Sequence, residues 1–310
     1  MRILITGASG LLGSNMLLAA IDAGYNVTAT SHSRPIRVSG AQWKAADLTV
    51  EGAAAELLDD TQPEWIVHCA AATDVDRCEQ DPDWAFSLNR DMPAAIAAAA
   101  DHNGASMVHI STDAVFDGGP GPHRESDPTN PINTYGESKL SGERAVLASD
   151  PRAAVVRTNF YGWSPTGRTS LAEWFLGNLR AGEPCSGFTD IQISPLLVND
   201  LAHALLRILQ AGASGIWHLG CAGRFSKYEF GVRIAEVFDL DPNLIAPVES
   251  HTVGLPAQRP KDLSLDSQRA VQELGIDLPS CEEGIRRFSV LEQEGYSGRL
   301  ENLLAEPSRP

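Results

Sequence analysis

Basic residues are scarce in this chain: 24 Lys and Arg stand against 40 Asp and Glu among 310 residues, a formal charge of −16. That field repels nucleic acid and anionic membrane, and neither is expected as a partner. An anionic ligand must instead be held by local cations or helix N-termini. Cysteine is also sparse. Cys69, Cys78, Cys185, Cys221 and Cys281 are odd in number, widely spaced and without a CxxC pair, which argues against a disulfide or zinc framework. No metal-ligand spacing is apparent, and no metal is expected. Long apolar runs are missing too: the stretch from Pro93 to Ala100 is alanine-rich and too short to span a bilayer. With no signal-peptide pattern at Met1-Arg2-Ile3-Leu4-Ile5-Thr6, a soluble, cytoplasmic protein is expected.

What remains is ordinary globular material, 43% hydrophobic and 21% charged, with no internal repeat or low-complexity linker. Apolar strand-like runs at 2–6, 26–30, 65–69 and 107–111 alternate with helical patterns at 11–23, 94–102 and 134–147. Such alternation predicts a Rossmann-like, doubly wound parallel sheet in an α/β fold. The second half is broken by Gly162-Trp163-Ser164-Pro165 and Gly182-Glu183-Pro184, with helices expected at 199–211 and 227–238. It reads as a smaller C-terminal α/β substrate-binding lobe. The expected division is a dinucleotide-binding domain at 1–155, rejoined by about 190–215, then a lobe at 156–300 and a tail at 301–310.

Gly7-Ala8-Ser9-Gly10-Leu11-Leu12-Gly13 follows the first strand and opens the first helix. In that context a GxxGxxG loop is a dinucleotide signature. Gly7 permits the turn, Gly10 admits a pyrophosphate to the backbone and Gly13 lets helix pack on sheet, with Ser9, Leu11 and Leu12 completing the cradle. The second strand leads into Ser31-His32-Ser33-Arg34 without an acidic residue for a ribose 2′-hydroxyl. Ser31, Ser33 and Arg34 suit a 2′-phosphate, which favours NADPH, with NADH the alternative. Arg34 could equally be a solvated surface charge. Asp47 and Leu48 are candidates for the adenine side, a capping aspartate being the other reading.

Tyr135 and Lys139 lie four apart on a predicted helix, on one face. An ammonium beside a phenol favours the phenolate, which gives a proton donor and acceptor for carbonyl chemistry. A tyrosine packed on a lysine stem is the structural alternative, and the glycine loop weighs against it. Thr112, at the end of a parallel strand, lies where open α/β sheets place ligands.

Together these motifs resemble the extended short-chain dehydrogenase/reductase family, and within it the dTDP-4-dehydrorhamnose reductases. The strings that carry the resemblance are GASGLLG from Gly7, HCAAATDVD from His68, STDAVFDG from Ser111, YGESKLSGE from Tyr135 and RPKDLSLD from Arg259. The resemblance implies an NADPH-dependent reduction of C4 in a nucleotide-linked 4-keto-6-deoxy sugar, with Thr112, Tyr135 and Lys139 as the catalytic set. Lys139 would hold the nicotinamide ribose and lower the tyrosine pKa. Ala70, Ala71 and Ala72 would line the cofactor channel, and Asn89 would lie on its nicotinamide side or cap a helix. Thr73, Asp113, Ala114 and Phe160 would face the sugar, although Asp113 also suits a turn. Arg259 and Lys261 would hold the diphosphate, unless they form surface ion pairs. Ala114 and Phe160 depart from the tyrosine and tryptophan usual in that group, so the sugar is left open. Members of the family are often homodimers. Another reductase or epimerase of the same family is the rival reading. So is a non-catalytic NADP-binding subunit like the β subunit of methionine adenosyltransferase.

Overall fold

A computed structural model describes residues 1–32, 34–167 and 170–304. Seven parallel strands form the central sheet: β1 (Arg2–Thr6), β2 (Asn26–Ser31), β3 (Ala41–Ala45), β4 (Trp65–His68), β5 (Ser106–Ile110), β6 (Ala154–Thr158) and β7 (Gly215–Leu219). Their order across the sheet is β7-β6-β5-β4-β1-β2-β3, that of a Rossmann fold with one added edge strand. The order reverses between β1 and β4, so the C-terminal ends of those strands open a crevice.

Alternation along each strand separates two cores. Ile3 and Ile5 of β1, with Val108 and Val156, join a core shared with the second lobe. Leu4, Ile66, Met107 and Val155 face the other side. That second core is closed by α2 (Ala53–Thr61) and α3 (Met92–Asn103). Helix α1 (Leu11–Asp22) leaves the glycine loop, and α4 (Thr134–Ser149) is capped by Asn133, whose Oδ1 accepts the Gly136 amide at 2.8 Å.

The second lobe carries α5 (Leu171–Ala181), α6 (Val198–Gln210), α7 (Lys227–Val237) and α8 (Cys281–Gln293), with three two-stranded ladders. Helices α5, α7 and α8 each begin with a Ser–Glu capping box. Their core is aromatic: Tyr161, Phe175, Phe230 and Phe288 are fully buried.

Strands cross the expected boundaries in two places. Strand β6 straddles the 155/156 division. The return to the sheet runs on through β7 to Leu219, because a parallel edge strand must follow the α6 crossover. The chain is anchored up to Leu304. Leu303 is buried, its carbonyl accepts the Arg37 amide at 2.8 Å, and Leu304 bridges Ile36. Among the described residues, no helix is long and apolar enough to cross a membrane.

Candidate active site

A cleft of about 890 Å³ follows the C-terminal ends of the strands. The glycine loop from Gly7 to Gly13 forms one wall, with Ser9, Leu11 and Leu12 exposed to it. Gly7 has φ of +62°, and a Cβ there would lie 2.7 Å from the Ala70 amide nitrogen. A Cβ on Gly13 would overlap the Gly7 carbonyl. The loop therefore brings backbone N–H groups and a helix N-terminus to open space, a shape that fits a dinucleotide pyrophosphate.

At the far end of this wall, Ser31, Asp47 and Leu48 line the cleft, but Arg34 is exposed and outside the lining; Ser33 lies outside the described residues. Ser31 donates to the Arg34 carbonyl at 2.5 Å. Asp47, half-exposed, accepts from the Thr49 hydroxyl at 2.6 Å and amide at 3.1 Å, and those bonds hold its carboxyl below the usual range. Its other oxygen lies 3.3 Å from Nε2 of His32, which also faces the cleft. The pairing was hidden in the sequence, because the two residues come from the ends of β2 and β3.

Ala70, Ala71 and Thr73 line the middle of the cleft; Ala72 does not. The Ala72 amide donates to Asn89 Oδ1 at 2.9 Å, and its carbonyl accepts from Asn89 Nδ2 at 3.0 Å. Asn89 sits in a π-helical turn, Ser87–Asp91, and donates also to Ser138 at 3.0 Å. It is neither a cleft residue nor a helix cap. Fully buried, it clamps the alanine loop to α4.

Thr112, Tyr135 and Lys139 meet in the cleft, with Asp113 and Phe160 beside them. A Cβ on Gly136 would overlap the Ala114 carbonyl, so this glycine lets α4 approach the Asp113–Val115 turn closely. Ala114 itself is buried and does not line the cleft. Thr112 Oγ1 accepts the Ala114 amide at 3.2 Å and donates to Asp113 Oδ1 at 3.1 Å. Asn159, just past β6, donates to Asp113 Oδ2 at 2.8 Å and faces the cleft. The motifs did not mark it, although a polar residue at the end of a parallel strand is a general signal.

The electrostatics differ from the expectation at one point. Burial pushes the Tyr135 phenol up to about 12, against a hydrogen bond with Thr112 that pulls it down; Lys139 does not lower it here. The Lys139 ammonium instead donates to the Ile110 carbonyl at 2.6 Å. Burial brings Lys139 down to about 8, while Glu143, one turn along α4, acts to raise it. Glu143 accepts from Ser111 at 2.5 Å and takes two bonds from the Arg157 guanidinium at 2.8 and 2.9 Å, all in the interior. The Cys69 thiol on the cleft wall is pushed up to about 12 by burial, so it offers no thiolate nucleophile.

Burial also lifts the Asp113 carboxyl from 3.8 to about 6, against bonds from Asn159 and Thr112. Between those values the folded protein holds a proton that the unfolded chain has lost. Stability therefore falls as pH rises from about 4 to 6. Asp113→Asn is expected to stabilise the protein at pH 7 by up to about 3 kcal/mol, with no gain at pH 4. Thermal melts at both pH values check this; a gain independent of pH would contradict it.

Arg259 and Lys261 lie outside the cleft, along a second pocket of about 400 Å³ with Gln258 and His251. Arg259 pairs with Asp76 at 2.9 Å, and Lys261 pairs with Asp190.

The sequence pattern of the RmlD substrate binding domain matches residues 1–293. The chain belongs to that family. A dTDP-4-dehydrorhamnose reductase of Mycobacterium tuberculosis is 36% identical over 275 residues, 86% of each chain. A probable low-salt glycan biosynthesis reductase, Agl14 of Haloferax volcanii, is 34% identical over 286 residues, 91% of this chain and 95% of the relative. Methionine adenosyltransferase 2 subunit beta of Danio rerio is 32% identical over 293 residues, 90% of this chain and 86% of that one. Among solved structures, the dTDP-4-dehydrorhamnose reductase of Bacillus anthracis in complex with NADP superposes with a TM-score of 0.84. It is 28% identical, with 93% of this chain and 98% of the other covered. Family membership bears out the resemblance drawn from the motifs, and the sheet order bears out the fold class.

Proposed function

We propose that the protein is an NADPH-dependent reductase of the C4 carbonyl in a nucleotide-linked 4-keto-6-deoxy sugar. The observation that carries this reading is the meeting of Thr112, Tyr135 and Lys139 at one end of the cleft whose other wall is the glycine loop. The relatives named as dTDP-4-dehydrorhamnose reductases support the substrate class.

The glycine loop would take the pyrophosphate, and Lys139 would hold the nicotinamide ribose. When bound, the reduced nicotinamide supplies a hydride to the sugar carbon. The chain's own residues manage the oxygen. Tyr135, with a pKa near 12, is fully protonated at neutral pH and gives its proton to the oxygen as negative charge develops there. Thr112 steadies the same oxygen through its hydroxyl. Glu143 acts to keep Lys139 charged. Asp113 and Asn159, linked by a hydrogen bond, offer polar contacts to the sugar beside Phe160.

The preference for NADPH rests on Ser31 and His32 at the adenosine rim and on the NADP held by the Bacillus anthracis relative. The Asp47 carboxylate acts against a 2′-phosphate, and His32 is the group placed to offset it.

Loss of nicotinamide absorbance on mixing with NADPH and dTDP-4-keto-L-rhamnose tests the reading. Failure across dTDP-, UDP- and GDP-linked keto sugars would remove it. Tight cofactor retention with no net consumption would point to an epimerase. Co-purification with a methionine adenosyltransferase, without turnover, would point to a binding subunit. For the active enzyme, kcat/KM is expected to fall as pH rises through about 8, where Lys139 loses its proton in the free protein. A profile flat to pH 10 would contradict that role.

A further inference from the structure

Asn15 is polar where the fold calls for an apolar side chain. It lies in α1 beside Met16, Leu17 and Leu18, is wholly buried, and none of the motifs read above includes it. Asparagine is also a poor helix former, so its place needs a reason. Its hydrogen bonds supply one. Nδ2 donates to the Leu11 carbonyl at 2.8 Å and to the Trp163 carbonyl at 2.9 Å. Oδ1 accepts at 2.9 Å from the hydroxyl of Tyr296, in the short helix Tyr296–Glu301. Carbonyls only accept, so both amide hydrogens face them and the amide oxygen faces the phenol.

The two carbonyls belong to different walls of the cleft. Leu11 opens α1 directly after Gly10 and lines the cleft on the glycine-loop side. Trp163 closely follows Asn159 and Phe160, which line the end where Thr112 and Tyr135 meet. Trp163 is itself fixed in the core of the second lobe. Its indole N–H donates to the Phe288 carbonyl at 3.0 Å, and its ring stacks on Phe288 with centres 4.2 Å apart. One amide therefore bridges the glycine-loop helix and the segment that carries the opposite wall. Apolar packing of α1 on α6 joins the same two parts. Such packing has little direction, whereas two bonds from one planar group fix both a distance and an angle.

We infer that Asn15 is a positioning residue, whose amide sets the spacing between the glycine-loop helix and the wall of Asn159 and Phe160, and with it the distance that hydride must cross. This rests on the proposed function for the hydride step, but the spacing itself can be measured without turnover. Hydride transfer needs donor and acceptor about 3–3.5 Å apart, and a displacement of about 1 Å made far from the chemistry can cost about 10²-fold in rate.

Three variants test this. Asn15→Leu removes all three bonds. Asn15→Ser keeps an acceptor for Tyr296 but has one hydrogen for two carbonyls, and Tyr296→Phe leaves both carbonyl bonds in place. With NADPH and dTDP-4-keto-L-rhamnose, the two Asn15 variants should lose about 10²-fold in kcat while KM for NADPH stays within about threefold. Their primary isotope effect with deuterated NADPH should rise, as hydride transfer becomes the slow step. Tyr296→Phe should stay within about threefold of wild type in kcat. Crystal structures with NADP+ should show Leu11 and Phe160 about 1 Å further apart in Asn15→Ser than in wild type. Wild-type turnover in Asn15→Ser, an equal loss in Tyr296→Phe, or an unchanged spacing would overturn the inference. If Asn15→Leu does not fold, Asn15→Ser carries the test alone. If wild type reduces no keto sugar, the reductase reading fails, and the crystallographic spacing still decides the role of Asn15.

Discussion

Tyr135→Phe is expected to lower kcat by about 10²- to 10⁴-fold, the range for loss of a positioned proton donor, while NADPH affinity stays within about twofold. Among the described residues of the catalytic corner, the other groups are poorer donors at neutral pH, where Asp113 is ionised. The Cys69 thiol is pushed up to about 12, and Lys139 is turned toward the Ile110 carbonyl. Thr112 gives its hydrogen to Asp113 in the free protein. The phenol also packs beside Ala72, Cys78 and Ala85, so a phenyl ring keeps that packing and the cleft keeps its shape. The loss should therefore appear in turnover and not in folding. Steady-state kinetics with a fluorescence titration of NADPH separates the two; a variant with near wild-type turnover would remove Tyr135 from proton transfer.

Glu143→Gln is expected to have the largest effect on stability. Glu143 and Arg157 are each about 1–2% exposed, and the carboxylate takes both guanidinium bonds as well as that of Ser111. Removing the negative charge leaves a buried guanidinium without its counter-ion, which costs about 3–5 kcal/mol. Among the described residues, no second carboxylate bonds Arg157: it also meets the Phe116 ring at 5.3 Å and Nε2 of His218 at 3.5 Å, on an imidazole that burial keeps neutral by bringing its pKa down to about 3. A double variant, Glu143→Gln with Arg157→Met, removes both charges and should recover most of the loss. If Glu143 also keeps Lys139 protonated, the double variant should fold yet show its alkaline fall in kcat/KM at a lower pH than wild type. Denaturant melts read the first effect and pH profiles the second. Equal profiles would confine Glu143 to a packing role.

Much of this architecture is legible before any coordinates. The glycine loop, the alternating apolar runs and the Tyr135–Lys139 spacing are local signals, each contained in one element and its neighbours. What is illegible depends on chain segments far apart. Strands β6 and β7 lack distinctive flanks, and their place in the sheet follows from crossovers that only topology shows. The Asp47–His32 pair joins two strand ends, and the Asn89 clamp spans 17 residues to reach Ala72. The tyrosine pKa illustrates a further difficulty. Spacing alone suggests an ammonium beside the phenol, but burial dominates and Lys139 turns to a carbonyl. Arg259 and Lys261 read in sequence as diphosphate ligands or surface ion pairs, and the choice is open because Asp76 and Asp190 are remote from them.

The central claim is that this cleft carries hydride from a nicotinamide to a sugar carbon while Tyr135 supplies the proton. Its most direct test is a labelling experiment with NADPH deuterated at the transferable position and dTDP-4-keto-L-rhamnose, read by mass spectrometry. One deuterium at C4 of the product sugar in wild type, and only a trace in Tyr135→Phe, is the predicted result. Unlabelled, unreduced sugar in wild type, with every nucleotide carrier tried, would contradict the account.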